Sequence, residues 1–391
     1  MRVQWCLVAV LHACAPKSGD SSSPAVTPDA EADSGSAPPD GPGRIPIYVG
    51  DVEFRSDADV ALLEGYEVIQ GSVGLLEGVT DLTKLYALQE ITGSLRIEDT
   101  TTLPSLTGLE AVQTIGGDLG IRGSTMTSFA GLDGLTSLEG LTIEDTEVLT
   151  DISALTSITG LSRNLVITNT NLASLTGLEG LTEVRGYLNI QAASALSSLS
   201  GLDNISYVGK TLFVVQSPLI ETLDGLGALT TVNESISIAE LPQLRAISLS
   251  VESVKDNVQI VRNSNLEMIA LSGLVSAGEL EVHGNPVLAG LDVGALVEVE
   301  RWFQIDDNDS LTALGDFSSL ATVGVRVSVT RNDRLASIGS SLPSLRSVGE
   351  NFDMHDNPLL PACEVDAVAE ALTDLGGLVV NTGNLDDAAC D

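Results

Sequence analysis

The stretch from Gly93 to Gly117, GSLRIEDTTTLPSLTGLEAVQTIGG, contains the pattern from which most of this chain is built. Its apolar residues begin at Leu95 and Ile97 and later recur at every third position as far as Ile115, before a glycine pair restarts the pattern. A unit of this length is too short to bury its own apolar side, so it has to stack on copies of itself. The stretch therefore predicts one rung of a solenoid.

The first leucine of the short strand, used here as a marker, recurs at intervals of 21 to 25 residues. Another apolar residue follows each marker two positions later, which is the alternation of a half-buried strand. Glycine, serine and threonine separate the remaining apolar residues, and these are poor helix formers. We therefore predict an all-β fold, a right-handed parallel β-helix of about 14 rungs. The fourteen markers are Val52, Val73, Leu95, Leu119, Leu141, Leu165, Leu188, Leu212, Ile236, Val258, Leu280, Phe303, Val327 and Phe352.

The fifth position after the marker is polar or small in most rungs and is asparagine in the last five. An asparagine repeated at one corner can bond the backbone of its own turn and of the neighbouring turn, so that no buried amide lacks a partner. We predict a structural role for this column rather than ligand binding. From Leu95 onward its residues are Thr100, Ser124, Thr146, Thr170, Ala193, Ser217, Leu241, Asn263, Asn285, Asn308, Asn332 and Asn357.

Two of these rungs resemble a known repeat family. The runs LEVHGN (Leu280 to Asn285) and FQIDDN (Phe303 to Asn308) are similar to the L-x-L-x-x-N core of leucine-rich repeats. The next leucine, Leu288, comes three residues after the asparagine, where the common consensus has two. With the lack of helical returns, this looks more like the receptor L-domain, the flat β-helix in the ectodomains of the insulin-receptor and EGF-receptor families. The resemblance covers roughly residues 49–360 and implies an architecture, because the matching positions face the core.

The N-terminus, MRVQWCLVAVLHAC, combines a basic residue, a short apolar run and Cys14. It resembles a bacterial lipoprotein signal, which implies acylation of Cys14. Ala15 does not resemble the inner-membrane retention signal, so the implied location is the outer membrane and cell surface. An ordinary secretory signal with a chance cysteine is the alternative, and the protein is then secreted. No run approaches the roughly 20 apolar residues that cross a bilayer, so we expect membrane attachment only through a lipid anchor.

These features divide the chain into four predicted segments. Residues 1–13 are the signal peptide, and residues 14–46 are a disordered tether because they contain almost no large apolar residues. Residues 47–360 form the solenoid. Residues 361–391 form a C-terminal cap, with helical spacing of apolar residues between Cys363 and Leu375. Cys363 and Cys390 flank this cap, and an even pair of cysteines in an exported protein predicts a disulfide.

The charge of the chain excludes some partners. Its 391 residues include 18 basic and 54 acidic residues, which gives a net charge of −36. Such a charge repels nucleic acid and anionic lipid, so we expect neither as a partner. The acidity reflects either a need for solubility or weak, distributed binding of divalent cations.

Candidate chemistry is sparse. His12 lies in the predicted signal, and His283 and His355 share an outward column but are three rungs apart. Three rungs span roughly 14 Å, which is too far for a shared metal ion. The acidic run from Asp306 to Ser310 lacks the glycine and distal glutamate of a calcium loop. No hydrolase, phosphate-loop or paired C-x-x-C motif occurs. We therefore predict no catalytic residue, cofactor or metal site.

The outward face of the sheet is the candidate ligand-binding surface. Exposed aromatic and apolar residues among amides are typical of recognition surfaces. The same pattern also fits a surface that a neighbouring loop covers, or a simple preference for β-forming residues at outward positions. The candidate residues are Val166, Tyr187, Asn189, Phe213, Val215, Gln259, Val261, His283, Trp302 and Gln304.

Two classes of function fit this sequence best. The leading hypothesis is a non-enzymatic cell-surface recognition or adhesion module that binds a protein or glycan through the flat parallel sheet. The alternative is a calcium-dependent envelope enzyme that resembles the β-helical polysaccharide lyases, although the lysine and arginine that such enzymes need are scarce on the middle rungs. A passive surface coat or spacer is the third possibility.

Overall fold

The computed structural model describes residues 45–100 and 102–386, which form a nearly all-β parallel solenoid of about 14 turns. This confirms the predicted fold class. The predicted signal peptide, Cys14, most of the predicted tether and Cys390 lie outside the described residues. The predicted lipid anchor and disulfide therefore stay predictions.

Parallel strands stack in three columns along the solenoid. The first column contains the markers, and its strands are Val52–Phe54, Val73–Leu75, Leu95–Glu98, Thr114–Arg122, Ser137–Thr146, Leu165–Thr170, Leu188–Ala193, Leu212–Val215, Ile236–Ala239, Ser253–Val261, Ser276–His283, Trp302–Asp306, Arg326–Thr330, Phe352–His355 and Val379–Val380. Every marker pairs in register with the marker of the next rung, as Leu165 does with Leu188. The interval between markers in the sequence is therefore the length of one turn of the solenoid.

The second column lies just before the first along the chain. Four long strands of the first column, beginning at Thr114, Ser137, Ser253 and Ser276, also run through it. Its other strands are Ile47–Val49, Val68–Gln70, Glu90–Ile91, Gly160–Leu161, Glu183–Val184, Tyr207–Val208, Thr231–Val232, Glu298–Val299, Thr322–Val323, Ser347–Val348 and Asp374–Leu375. The third column contains Ala246–Ser248, Met268–Ala270 and Gly290–Asp292.

The core lies between the columns and is filled mainly by leucine, isoleucine and valine. Each such side chain contributes about 1.5–3 kcal/mol when it is fully buried. Phenylalanine fills wider places, as where the rings of Phe303 and Phe317 meet edge to face with centroids 4.9 Å apart. The markers from Val52 to Phe352 are all buried, which confirms that the apolar residues of the repeat face inward.

The asparagine column forms the predicted hydrogen-bonded ladder. Asn285 Nδ2 donates to the carbonyl oxygens of Ile260, at 3.0 Å, and of its own rung. The Asn285 backbone N–H donates to Asn308 Oδ1 at 3.1 Å. The same bonds recur in the following rungs, and Asn384 continues the ladder by accepting from the Asn357 N–H at 3.0 Å. The structural role predicted for this column is confirmed.

The residue before each corner adopts a left-handed backbone conformation, which was not predicted. Ten non-glycine residues at the fourth position after the marker have φ between 49° and 57°. Gly123, Gly284 and Gly383 occupy the same position with φ of 59°, 67° and 70°. L-residues other than asparagine and aspartate rarely adopt this conformation, so strain is expected chiefly at Ala192, Gln216, Glu240, Arg262 and Arg331. The ten residues are Asp99, Asp145, Asn169, Ala192, Gln216, Glu240, Arg262, Asp307, Arg331 and Asp356.

Helices are few and short. The α-helix Asp57–Ala61 was not predicted, and Ser56 caps it by accepting from the Asp59 N–H at 3.4 Å. Serine is a favoured N-cap because its side chain satisfies an otherwise unbonded N–H. Three 3₁₀ turns also occur among the described residues, at Thr83–Leu85, Ser153–Leu155 and Asp224–Leu226. The prediction of strands and turns in place of helical returns is confirmed for the described rungs.

A second α-helix, Ala362–Glu370, lies near the C-terminus as predicted, but it ends before Leu375. The chain then returns to the sheet, since Asp374 pairs with Ser347 and Val379 pairs with Phe352. The sheet therefore extends one rung beyond the predicted boundary at residue 360. The helix replaces the usual turn within that rung, which lengthens the marker interval from Phe352 to Val379 to 27 residues and hides the repeat in the sequence.

Candidate functional site

The ten candidate residues all lie on the outward side of the marker column, on or directly before the strands of six rungs within a run of seven. These rungs extend from Leu165–Thr170 to Trp302–Asp306. In-register pairing aligns the candidates in columns, as where Asn189 pairs with Val166 on one side and with Phe213 on the other. The repeat therefore brings the predicted residues to one face, as the sequence implied.

Several of these residues are less accessible than predicted. Val166, Asn189, Val215 and Val261 are buried, and Val215 and Val261 form an apolar cluster with Ala239. The expectation that they are exposed is wrong. In-register stacking places each outward side chain between two others only about 4.8 Å away, so neighbours of similar size cover one another. The middle rungs therefore offer less apolar contact surface than the sequence indicated.

The accessible candidates lie mostly toward the C-terminal rungs. Tyr187, Phe213, Gln259, His283 and Gln304 are half-buried. Trp302 is 52% exposed, which makes it the most accessible of the ten. Trp302 and Gln304 project from the same face because they are two positions apart on one strand.

A polar surface surrounds Trp302 on three neighbouring rungs. We call it the Trp302 face and define it as Glu281, His283, Trp302, Gln304, Asp306, Arg326, Ser328 and Thr330. Pairing aligns Gln304 between Glu281 and Ser328, and Trp302 pairs with Arg326 on the following strand. The face thus combines one exposed ring with amide, hydroxyl, carboxylate, imidazole and guanidinium groups.

Asp306 holds the centre of this face in place. Its carboxylate accepts hydrogen bonds from Gln304 Nε2 at 2.6 Å, from the Thr330 N–H at 2.9 Å and from Thr330 Oγ1 at 2.8 Å. Ser328 Oγ lies 3.3 Å from the same carboxylate. These donors satisfy a buried charge that would otherwise be costly, so Asp306 links two rungs rather than reaching into solvent.

Glu281 differs from Asp306 in its hydrogen bonding. Gln259 Nε2 donates to Glu281 Oε2 at 2.8 Å, but Oε1 is buried and accepts no hydrogen bond from the described residues. Burial raises the pKa of Glu281 above its ordinary value of 4.5, while the Gln259 bond and nearby His283 oppose the rise. Because Oε1 is buried without a donor, it makes the ionised form of Glu281 costly rather than offering a contact to a ligand.

Ion pairs border the face on both sides. Arg331 donates to both carboxylate oxygens of Asp307, at 2.7 and 2.8 Å, which holds the pKa of Arg331 above its ordinary range. His283 Nδ1 lies 3.2 Å from Asp307 Oδ2. Arg326 forms an ion pair with the buried Asp353. These pairs fix the long side chains beside Trp302.

The asparagine ladder supports the same surface from beneath. Asn285 Nδ2 donates to the His283 carbonyl at 3.3 Å, Asn308 Nδ2 to the Asp306 carbonyl at 3.0 Å and Asn332 Nδ2 to the Thr330 carbonyl at 3.2 Å. Each bond joins a ladder residue to a residue of the Trp302 face two positions earlier. The ladder thereby fixes the backbone on which the face is built.

Glu281, Asp306 and Arg326 were not among the candidate residues. The alternation along the strands already placed Glu281 and Asp306 in outward columns, and Arg326 directly precedes a marker as Trp302 does. Their pairing depends on side-chain contacts between rungs some 23 residues apart, which a linear pattern does not specify.

Other features of the described residues bear on function. Among residues 45–100 and 102–386, no group of three or more His, Cys, Asp or Glu residues is arranged to hold a metal ion. No helix in this part of the chain is long and apolar enough to cross a membrane. Compared with protein-family models and with curated proteins, the chain matches none. The structure supports the part of the predicted resemblance that concerns a solenoid of stacked parallel strands.

Proposed function

We propose that this protein is a non-enzymatic surface recognition module that binds a glycan through the Trp302 face. A β-solenoid suits a binding or a structural role. The observation that carries the proposal is the 52% exposure of Trp302 within a surface of hydrogen-bonding side chains. An exposed indole ring offers a flat apolar contact, and such rings favour binding surfaces that are partly apolar and partly wet.

The polar groups around the ring favour a ligand rich in hydroxyl groups. The amide of Gln304 and the hydroxyl of Ser328 are only half-buried, and both groups can exchange hydrogen bonds with sugar hydroxyls. Gln304 and Ser328 align with Glu281 across consecutive rungs. Their spacing of about 4.8 Å lets one extended ligand contact several rungs. A protein ligand is the alternative that the experiment below separates from a glycan.

Binding to immobilised polysaccharides tests this proposal. The full-length chain is applied to a panel of neutral and acidic polysaccharides, beside its Trp302→Ala variant. Loss of a stacked ring at the centre of a site is expected to weaken binding about tenfold or more. Tyr86→Ala is the matched control, since Tyr86 is 60% exposed but follows the Thr83–Leu85 turn, away from the Trp302 face.

The outcomes separate the candidate ligands. Binding that Trp302→Ala weakens and Tyr86→Ala leaves unchanged supports glycan recognition at this face, provided that both variants keep the wild-type circular dichroism spectrum. Binding that both variants retain places the glycan site elsewhere. If no polysaccharide binds but a purified surface protein does, and Trp302→Ala abolishes that interaction, the ligand is a protein.

We also propose that the module is held at the bacterial outer surface by an acyl group on Cys14, with secretion as the alternative. The signal-like N-terminus and the tether-like composition of residues 14–46 support this location. A Cys363–Cys390 disulfide would close the C-terminal segment. Mass spectrometry of protein isolated from membranes tests both proposals, because acylation adds a lipid mass at Cys14 and a disulfide removes two thiols from alkylation.

A further inference from the structure

The charges around Trp302 are unbalanced, with more carboxylates than guanidinium groups. Arg301 directly precedes Trp302, and its Nε donates to Glu279 Oε1 at 2.7 Å. Its Nη2 lies 4.0 Å from Asp256 Oδ1. The hydrogen bond to the glutamate raises the pKa of Arg301 above its ordinary range, and the charges of Asp256 and Glu300 add to the rise. Three carboxylates therefore share one guanidinium group.

A second arginine shows the same surplus of negative charge. Arg331 donates to both carboxylate oxygens of Asp307, at 2.7 and 2.8 Å. These bonds raise the pKa of Arg331, and the charges of Asp306 and Asp356 add to the rise. Here too, one guanidinium group lies near three carboxylates. The two arginines that border the Trp302 face are therefore both outnumbered by acidic groups.

The third arginine of this region is also engaged. Arg326, which pairs with Trp302 on the following strand, forms an ion pair with the buried Asp353. Glu300, by contrast, is exposed two residues before Trp302 and takes part in no ion pair among the described residues. A uronic acid or sulfate group at this face would therefore contact carboxylates without finding a free cation. The charge distribution disfavours an acidic polysaccharide.

We propose that the glycan bound at the Trp302 face carries free amino groups, as in a polysaccharide of unacetylated amino sugars. This inference rests on the glycan recognition proposed above and specifies the class of its ligand. The surplus carboxylates attract a protonated amine, and the face of an indole ring attracts a cation as well. Trp302 is 52% exposed, so its ring is accessible to such a group.

The repeat and the net charge strengthen this attraction. Amino groups recur on every sugar of such a polysaccharide, so several can lie near the carboxylates of rungs that are about 4.8 Å apart. Glu279 and Glu300 belong to two consecutive rungs. The net charge of −36 extends the attraction for a cationic chain beyond the face itself.

A matched pair of oligosaccharides tests the proposal. Oligomers of glucosamine about six sugars long, enough to span several rungs, are titrated into the full-length chain. The same oligomers after complete N-acetylation are the comparison, because acetylation removes the charge and keeps the sugar ring and linkage. Calorimetry measures binding at about pH 5.5, where amines are protonated and ordinary carboxylates are ionised, in low and high salt. Oligolysine of equal charge is the probe for a cationic peptide.

Two variants separate the local charge from the charge of the whole chain. Glu300→Gln removes a carboxylate two residues from Trp302, whereas Glu77→Gln removes one on the N-terminal rungs. Both glutamates are exposed, and the two substitutions change the net charge equally. Glu300→Gln should weaken glucosamine binding about threefold, as expected for an exposed ion pair. Glu77→Gln should leave it unchanged.

The expected result is that the glucosamine oligomer binds about tenfold more tightly than its acetylated form, and that high salt weakens this binding. Equal affinities for the two oligomers overturn the amino-sugar proposal but leave glycan recognition standing. Oligolysine that binds as tightly as the glucosamine oligomer also overturns it, because charge alone then explains the binding. Equal losses in Glu300→Gln and Glu77→Gln overturn the placement of the amine at the Trp302 face.

Two further outcomes distinguish this proposal from the one on which it rests. If a neutral or acidic polysaccharide of the panel binds and the glucosamine oligomer does not, the amino-sugar proposal alone fails. If neither oligomer nor any polysaccharide of the panel binds, glycan recognition itself fails.

Discussion

The two halves of the solenoid close the same corner with different chemistry. In the first half the corner is held by hydroxyl groups, as where Thr170 Oγ1 donates to the Thr146 carbonyl at 3.2 Å. In the second half an asparagine such as Asn308 bonds two carbonyls and also accepts the N–H of the neighbouring asparagine. The period is the same throughout the solenoid, but side chains make fewer hydrogen bonds at the corner in the first half than in the second half.

This difference in corner hydrogen bonding coincides with a difference in the outward face of the sheet. Apolar residues such as Val166 and Val215 are buried on the middle rungs of the outward face. The ladder rungs carry the Trp302 face, and their asparagines bond the carbonyls of His283, Asp306 and Thr330. Binding sites work best on rigid supports. We conclude that the ladder and the polar face belong together, with the first half as scaffold.

The largest expected effect comes from breaking the ladder. Asn308→Ala removes the donor to the carbonyls of Val282 and Asp306 and the acceptor for the Asn285 N–H. Each buried group left unsatisfied costs about 1–3 kcal/mol, so the free energy of unfolding is expected to fall by about 3 kcal/mol. Urea unfolding followed by circular dichroism measures it. The substitution should also weaken ligand binding at the Trp302 face.

Thr146→Val is the matched control in the first half. It removes a hydroxyl that donates to Thr170 Oγ1 at 3.2 Å but keeps the shape of the side chain and every backbone bond. The expected loss is about 1 kcal/mol, with no effect on ligand binding. Equal losses for Thr146→Val and Asn308→Ala would remove the distinction between the halves.

A smaller effect is expected at the left-handed corner position, which both halves share. Gly284 has φ of 67° and Ala192 has φ of 50° at equivalent places. Gly284→Ala forces an alanine into this conformation and should cost about 1 kcal/mol. Ala192→Gly relieves the same strain and should stabilise by about 0.5 kcal/mol, because glycine also loses more backbone entropy on folding. A lower urea midpoint for Gly284→Ala and a higher one for Ala192→Gly would confirm that this position acts alike in both halves.

The smallest expected effect depends on pH. Burial raises the pKa of Glu281 above 4.5, so the folded state holds this proton more tightly than the unfolded state. Stability from this group is therefore present at acid pH and is lost as pH rises from about 4.5 through the raised pKa. Glu281→Gln should raise the melting temperature at pH 7 by about 0.5 °C. The gain should disappear near pH 4, and a gain that is equal at both pH values would contradict the burial of this charge.

Much of the fold, but less of the site, follows from the sequence. The markers and the asparagine column repeat at a fixed period, and in-register stacking converts that period directly into structure. The burial of Val215 and the pairing of Asp306 with Thr330 depend on side chains one rung away, which the linear pattern does not specify. The sequence indicates a strand at Leu378 to Val380, but its place in the marker column was not predicted because a helix inserted within that rung changed the spacing.

The most direct test of the central claim is the accessibility of Trp302 in the presence of ligand. The chain contains two tryptophans, Trp5 and Trp302. Trp5 lies in the predicted signal peptide, so a Trp5→Phe variant reports on Trp302 alone whether or not that segment is removed. Acrylamide quenching of its fluorescence is measured with and without a polysaccharide that the panel identifies as bound. Our account predicts that saturating polysaccharide lowers the quenching constant at least about twofold, because it covers a ring at the centre of the contact. Bound polysaccharide with unchanged quenching would contradict the account and place recognition away from the Trp302 face.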